Sequence, residues 1–392
     1  MRQSPIVVAG AGIGGLSAAL SLAETGHPVW VLERAAAIEE VGAGLQIAPN
    51  AGRILQDLGL SKALAASALE PEAINIRRAR DGVALARLPV RDVAERWGAP
   101  FRLFHRADLQ QLLLDAAQRI DSISIRTSAR VGDFEDEDGA VHLRVHGESG
   151  PEDIEALGLV GADGVRSGVR AGLVKSPGDA PVYAGHTAWR AILPADAASA
   201  FARRRETNLW LGPGAHLVHY PLRDASIVSA VFIVEAPQGA PDAPQTLAGD
   251  ALLREARGFQ ACDELGALIA AGASWRRWPM FARPALKHWS AGSVTLLGDA
   301  AHPMLPFLAQ GAAQAIEDAD ALAKAVSATQ SLPQAFRDYE AARMARATRV
   351  QSQSRRQGSY FHADGLMARG RDATIGFLGG QGMLNRNAWL YR

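Results

Sequence analysis

Ile6-Val7-Val8-Ala9-Gly10-Ala11-Gly12-Ile13-Gly14-Gly15 is the stretch that decides how this chain folds. Its first four residues are apolar and mostly β-branched, the pattern of a strand buried on both faces in a parallel sheet. The glycines that follow stand at the spacing of a dinucleotide fingerprint. Gly10 permits the tight turn, Gly12 lets the main chain approach a pyrophosphate, and Gly15 lets the next helix pack closely on the strand. Leu16 to Glu24 reads as that helix, ending near Gly26, with its free N–H groups and dipole facing the phosphates. A second strand, Val29 to Leu32, ends in Glu33, where an acid can accept from ribose hydroxyls. The carboxylate repels a 2′-phosphate, and Arg34 beside it can lie over an adenine.

Most of the chain length away, Val294 to Leu297 reads as another strand, followed by Gly298-Asp299-Ala300-Ala301-His302-Pro303. Asp299, at the carboxyl end of a parallel strand, can accept from sugar or ribityl hydroxyls. A ligand touched by both pieces must be long, which points to FAD rather than NAD. Gln310-Gly311-Ala312 opens a long helix, and an N-terminus aimed at a flavin's N1–C2=O region stabilises the anion of the reduced ring. There is neither a second strand–glycine–helix fingerprint nor a cysteine pair, so a nicotinamide is expected to bind only transiently.

The 392 residues, 48% of them hydrophobic, leave room for two domains with a sizeable core. Lys and Arg total 41, as do Asp and Glu, a parity that argues against a nucleic-acid or anionic-membrane partner. Cys262 is the sole cysteine, so no disulfide, iron–sulfur cluster or other metal centre is expected, and a reducing cytoplasm suits the chain. Met1-Arg2 and the apolar run behind it resemble a secretory signal, but cleavage there would destroy the phosphate loop.

After Glu33, Val41 to Ala51 reads as a loop and Gly52 to Leu58 as a helix. Hairpins are expected around Asp81-Gly82 and Asp138-Gly139, a strand at Phe101–Phe104, a helix from Ala107 to Arg119, and a strand ending at Gly161-Ala162-Asp163-Gly164. From Tyr183 to Val234 the chain reads as an antiparallel meander, then Pro237 to Pro244 as a linker. Helices return at Gln310–Val326 and Leu332–Gln357, and the glycine-rich Gly376–Gly382 reads as loop. The fold class is therefore α/β, a Rossmann-like nucleotide-binding domain interrupted by an antiparallel β-sheet domain. The nucleotide-binding part takes residues 1–72, 100–180 and 285–345, the β-sheet part 73–99 and 181–284, and a helical tail 346–392.

His216 and Tyr220 lie four apart on one strand of the meander, so both point to the same face with Val218 between them, while His219 points the other way. A phenol and an imidazole on one face can fix and deprotonate a phenolic substrate; a satisfied sheet histidine and a core tyrosine would look the same. Trp189, Arg190 and Trp210 are equally compatible with an aromatic pocket and with plain core. Arg106 suits a pyrophosphate or flavin edge, or an ion pair with Asp108 or Asp115. Asp163 fits a turn or helix cap. Arg343, Arg346 and Arg349 read as a solvated face.

Three sets of residues together, Gly10 to Gly15 with Glu33, Gly161 to Ser167, and Gly298 to Pro303, resemble the motif set of the class A flavoprotein monooxygenases. The chain is similar to the salicylate and 3-hydroxybenzoate hydroxylases and the 6-hydroxynicotinate monooxygenase of that group, and His105-Arg106-Ala107-Asp108-Leu109 and Trp278-Pro279-Met280-Phe281 extend the likeness over nearly its whole length. The resemblance implies the p-hydroxybenzoate hydroxylase-like fold and one FAD, reduced by NADH or NADPH. O2 then yields a flavin C4a-hydroperoxide that hydroxylates a small aromatic carboxylate. Gly14, Gly15 and Glu33 would hold the ADP half and Arg106 and Asp299 the middle. Val131 would meet the adenine, while Gln46, Gly311 and Ala312 approach the flavin ring. Asp163 and Arg166 would stand beside the transient nicotinamide, and His216 and Tyr220 would line the substrate pocket. Pro306 and Phe307 replace polar residues that some relatives carry near the substrate. A flavoprotein oxidase or a non-catalytic flavin-binding protein would share every FAD residue. A homodimer is compatible with the resemblance.

Overall fold

The opening strand, Ile6–Ala9, is fully surrounded: it pairs in parallel with Val29–Leu32 on one side and Gly158–Gly161 on the other. The sheet runs Ser290–Ala291, Val294–Leu296, Gly158–Gly161, Ile6–Ala9, Val29–Leu32, Ile123–Arg126, all parallel except its first short strand. These strands come from the computed structural model, which describes residues 4–38, 44–137, 139–236, 245–256 and 258–392. The linker expected at Pro237–Pro244, the start of the Val41–Ala51 loop and Asp138 of the second hairpin lie outside the described residues.

Register sets the functional edge. Ala9 pairs with both Leu32 and Gly161, and Gly161 with Leu296, so four strands end level and release Gly10, Glu33, Ala162 and Leu297 side by side. The helix Ile13–Ala23 then lies tightly on the sheet. Gly10 has φ +104°, and a Cβ on Gly15 would fall 1.9 Å from the Gly10 carbonyl oxygen, so only glycine permits this turn at both positions. An antiparallel three-stranded meander, Arg130–Glu137, Ala140–Gly147 and Gly150–Ala156, connects the Ile123 strand to the Gly158 strand.

The second sheet has eight strands in the order Thr246–Leu247, Trp275–Ala282, Val182–Pro194, Ile227–Glu235, Ala215–Leu222, Glu206–Gly212, Ala73–Arg78, Ala84–Pro89. Alternation divides its faces. Trp189, Trp210, Leu217 and Phe232 pack on one side with the helices Gly249–Glu255 and Asp263–Ala271, so Trp189 and Trp210 belong to core. Arg190, His216, Val218, Tyr220 and Ile233 face the other way, toward a cavity shared with the first sheet. Among the described residues no helix is long and apolar enough to cross a membrane.

Several expectations are corrected. Within the stretch read as loop, Gly44–Ile47 is a strand antiparallel to Arg102–His105, and a helix starts at Pro49. Gly376–Gly382 is not loop but part of the helix Gly365–Tyr391, broken locally at Gly379 with φ 59° and ψ −174°. At Gly380 the reason is close approach: a Cβ there would lie 1.8 Å from the Arg87 carbonyl oxygen. The helix Leu332–Phe361 runs unbroken through the tail boundary expected at 345/346. Nor is the arginine run on that helix a wholly solvated face, although Arg349 is exposed. Arg343 is buried and paired with Glu317 and Asp318, Arg346 pairs with Glu317 and caps the Trp389 and Leu390 carbonyls, and Arg349 stacks over Trp389. Arg346 and Arg349 fasten the last helix, while Arg343 ties the helix Leu332–Phe361 to the helix Gly311–Ala328.

Candidate functional site

A single cavity of about 960 Å³ reaches from the phosphate-loop glycines to the inner face of the eight-stranded sheet. Gly10, Gly12 and Gly14 line one end with Glu33, Arg34 and Val131. Gly12 is the N-cap of the first helix, and the space where its Cβ would project holds no atom within 4 Å. That is the clearance an approaching pyrophosphate needs. Gly15, by contrast, does not line the cavity and serves the helix–strand contact. Glu33 spans the edge: its carboxylate accepts from the Ala11 N–H at 2.9 Å and the Ala35 N–H at 2.9 Å. Gln110, buried on the helix Arg106–Ala117, donates to the Ala11 carbonyl at 2.9 Å and steadies the loop from the other side.

Arg106, Asp163 and Asp299 line the middle of the cavity, and Gly311 and Ala312 lie beyond them. Asp299 opens into the cavity yet is surrounded by protein. Burial pushes its carboxyl up, while His302 and Arg106 pull it down, so Arg106 acts on Asp299 across the space. Of the two acids expected as alternative partners for Arg106, Asp108 pairs with Arg223 at 2.6 Å and Asp115 accepts from Gln111 at 2.6 Å. Asp163 both lines the cavity and accepts from the Gly168 and Val169 N–H groups at 2.7 and 3.2 Å, so it is also a helix-capping aspartate. Arg166 lies over the Phe281 ring at 5.3 Å.

Buried charges that local sequence patterns do not reveal hold this edge together. Asp318 accepts from the Gly298 N–H at 3.0 Å and meets His302 Nε2 at 2.6 Å, locking the Gly298–Pro303 loop to the helix Gly311–Ala328. Burial raises the Asp318 carboxyl, but His302 and Arg343 overcome this and bring it down to about 2. Arg170, fully buried, donates to Asp179 and to the Ala300 and Ala301 carbonyls at 3.1 and 3.0 Å, fixing the main chain beside Asp299. The acidic pair Glu317-Asp318 inside an apolar helix is the one sequence signal that could have pointed to the Arg343 partnership.

The far end of the cavity is made of side chains. His216, Val218 and Tyr220 line it together, as do Arg190, Val231 and Ile233 from neighbouring strands. The Tyr220 hydroxyl is hydrogen-bonded by Ser229 and Gln46, and burial raises the phenol well above its ordinary value. Ser229 Oγ in turn accepts from the Gly44 N–H at 3.0 Å. His216 Nδ1 lies 2.8 Å from Nε2 of His362, a residue just after the helix Leu332–Phe361 that no sequence motif marks. Burial holds the His216 imidazole well below its usual value, with His362 and His186 adding to the effect. Phe307 takes no polar role and packs its ring against His216 at 5.5 Å. His219, on the opposite face, stacks on Trp210, and neither of its ring nitrogens has a hydrogen-bond partner.

The donors fit FAD: glycine main chain for a pyrophosphate, an acid for a ribose, a cation and a carboxylate midway, and a helix N-terminus at Gly311 beyond. Comparisons with known proteins agree. The profile of the FAD binding domain family matches residues 3–354. The chain is 36% identical over 388 residues to 3-hydroxybenzoate 6-hydroxylase 1 of Aquipseudomonas alcaligenes, covering 98% of this chain and 97% of that one. It is 38% identical over 391 residues to a 3-amino-4-hydroxybenzoate 2-monooxygenase of Streptomyces platensis, covering 98% and 95%. A salicylate hydroxylase substrate complex superposes with TM-score 0.83 at 22% identity over 100% of this chain and 95% of the other. HpxO of Klebsiella pneumoniae, complexed with FAD and uric acid, gives 0.86 at 24% over 100% and 98%. The two structures share the fold.

Proposed function

The chain belongs to the FAD binding domain family of flavoprotein monooxygenases, and from that premise we propose that it hydroxylates a small phenolic carboxylate of the hydroxybenzoate or salicylate kind. NADH or NADPH would be the reductant and O2 the oxidant. One observation carries the reading: His216 and Tyr220 wall the same cavity as the phosphate-loop glycines and Asp299. Bound FAD supplies the passage of electrons from nicotinamide to O2. This chain's residues do the rest.

Gly10, Gly12, Gly14, Glu33, Arg34 and Val131 would take the ADP half, Arg106 and Asp299 the middle, and Gln46, Gly311 and Ala312 the ring; Asp163 and Arg166 would flank the nicotinamide. Gly15 acts on packing alone. Tyr220 keeps its proton at neutral pH and donates to the substrate hydroxyl, while His216, neutral because burial disfavours its charge, can take that hydroxyl's proton. Arg190, near enough to lower Tyr220 electrostatically, is the cation placed to meet a substrate carboxylate. Val218, Val231, Ile233 and Phe307 exclude water. In this reading residues 1–72, 100–180 and 285–345 bind FAD, 73–99 and 181–284 bind substrate, and 346–392 close the cavity. A cytoplasmic location is consistent with it, since the lone half-buried Cys262 suits a reducing compartment, and a homodimer is compatible with it.

The test is to mix FAD-loaded protein with 3-hydroxybenzoate, salicylate and related acids under labelled O2. At least one acid should stimulate NAD(P)H oxidation and carry one labelled oxygen in its product. Stimulated oxidation with no label in any product would make the protein an oxidase and overturn the proposal.

A further inference from the structure

The imidazole that lines the substrate pocket is the inner member of a chain of three groups. His216 Nδ1 meets His362 Nε2 at 2.8 Å, and His362 Nδ1 meets Glu235 Oε1 at 3.1 Å. Both imidazoles are buried and only the carboxylate at its end is open to solvent. His216 is 2% exposed, the His362 side chain 1%, and the Glu235 side chain 49%. We propose that His216, His362 and Glu235 form a proton relay that carries the substrate's phenolic proton from the dry cavity to bulk water. This deepens the proposed hydroxylation and rests on that reading.

Hydrogen-bond chemistry fixes the direction. An ionised carboxylate only accepts, so His362 carries its proton on Nδ1 and presents a bare Nε2. His216 must then donate from Nδ1, which leaves Nε2, its remaining ring nitrogen, as the base for the cavity it lines. When the phenol O–H breaks, its proton goes to His216 Nε2. The His216 Nδ1 proton passes to His362 Nε2, the His362 Nδ1 proton to Glu235, and Glu235 releases one proton to water. One proton reaches water as the phenolate forms, and one returns by the reverse sequence when the product phenolate is reprotonated, which resets both rings with no net proton transfer. Burial keeps both imidazoles below their usual values, so each is neutral and able to accept near pH 7. The charged or titratable groups facing His362 come from four elements: His216, His186 and Glu235 from three strands, and Arg371 from the last helix. The main chain holds the geometry, since Gly214 donates to the His362 carbonyl at 3.0 Å and Glu235 donates to the Gly214 carbonyl at 2.9 Å. Without the relay, His216 would hold a charge in a site closed by Phe307 and Phe361, whose rings lie 5.5 and 5.1 Å from it.

The experiment mixes FAD-loaded protein with 3-hydroxybenzoate in weak buffer containing a pH-indicator dye, while a difference spectrum follows phenol and phenolate. The wild type should release about one proton per phenolate formed. His362→Asn and Glu235→Gln should still take up FAD and bind the acid. Proton release should slow at least tenfold in the first and less in the second, where water at the exposed end can substitute. The apparent pKa of the bound phenol should rise in both. Glu235→Gln, at an exposed position, keeps the test valid if His362→Asn fails to fold. Proton release at the wild-type rate in the variants that fold overturns the relay, even if labelled oxygen still enters product. Binding of the acid as neutral phenol overturns it too. Failure of every aromatic acid to bind overturns the proposed function together with the relay.

Discussion

The two ends of the cavity are built from different materials. At the flavin end the frame is main chain, with strand ends held level by register, glycines that admit close approach and helix N-termini at Ile13 and Gly311, and the few side chains it uses, such as Glu33 and Asp299, sit at strand ends. At the substrate end the work falls to side chains drawn from separate segments: Tyr220 and His216 from one strand, Arg190 and Ser229 from others, Gln46 from a small two-stranded sheet, and His362 from beyond a long helix. Main-chain recognition tolerates almost no change of shape but little depends on any one functional group. Side-chain recognition reverses this, so substrate choice can change while the flavin stays.

The largest expected effect lies where both ends share a support. Arg343→Met removes the cation that Glu317 and Asp318 share, leaving Glu317 to Arg346 and Asp318 to His302, and should cost about 3 kcal/mol in urea unfolding, with loss of bound FAD. A cost under about 1 kcal/mol would show that the helix Gly311–Ala328 does not need this anchor. Next comes Gly15→Ala, which forces a Cβ into the Gly10 carbonyl and should cost about 3 kcal/mol. The protein should emerge colourless or lose its flavin on dialysis, seen as free-FAD fluorescence; a yellow variant of normal stability would break the contrast.

His219 sharpens the comparison, because it shares a strand with His216 but faces the opposite core. Burial pushes it down to about 3 from the ordinary 6.5, with Arg77 adding to the shift. As pH falls below 6.5 the unfolded chain takes up a proton that the folded protein refuses. The stability from this group is therefore complete above 6.5 and is lost as pH falls toward 3. At pH 5 the loss is 1.5 units at about 1.36 kcal/mol each, or about 2 kcal/mol. His219→Phe should flatten thermal stability between pH 7 and pH 5 by about that amount without touching turnover. The smallest effect should be Tyr220→Phe, which removes one hydrogen bond to substrate, about 1 kcal/mol or roughly fivefold in kcat/KM. FAD affinity should not move. A variant that also loses FAD would give Tyr220 a place in the flavin site.

The same contrast decides which features are legible in the amino-acid sequence. Gly10 to Gly15 announce themselves because main-chain recognition needs fixed residues at fixed local spacing, and Glu33 and Asp299 because each carboxylate follows directly on a strand end. Strand alternation, a local rule, exposes His216 and Tyr220. His362 stays hidden, because its partner lies far away along the chain and nothing near Phe361 marks it. The arginine run misleads for a related reason: three cations at helical spacing look solvated unless the acids of another helix are known to face them. Gly376–Gly382 reads as loop because glycine lowers helix propensity by about 1 kcal/mol, and here packing against the Arg87 carbonyl outweighs that preference. At Gly44–Ile47 the pairing strand lies about sixty residues on, beyond any local pattern.

That four strands end level has a consequence for how the molecule comes into being. Ile6–Ala9 is made first, but its neighbour Gly158–Gly161, the outer Val294–Leu296 and the fastening Arg343 emerge from the ribosome much later. Until then the nascent phosphate loop has no opposite wall, and so many distant pairings make for slow acquisition of the native state. The yellow coenzyme can therefore clasp both walls only after the Val294 strand has joined the sheet.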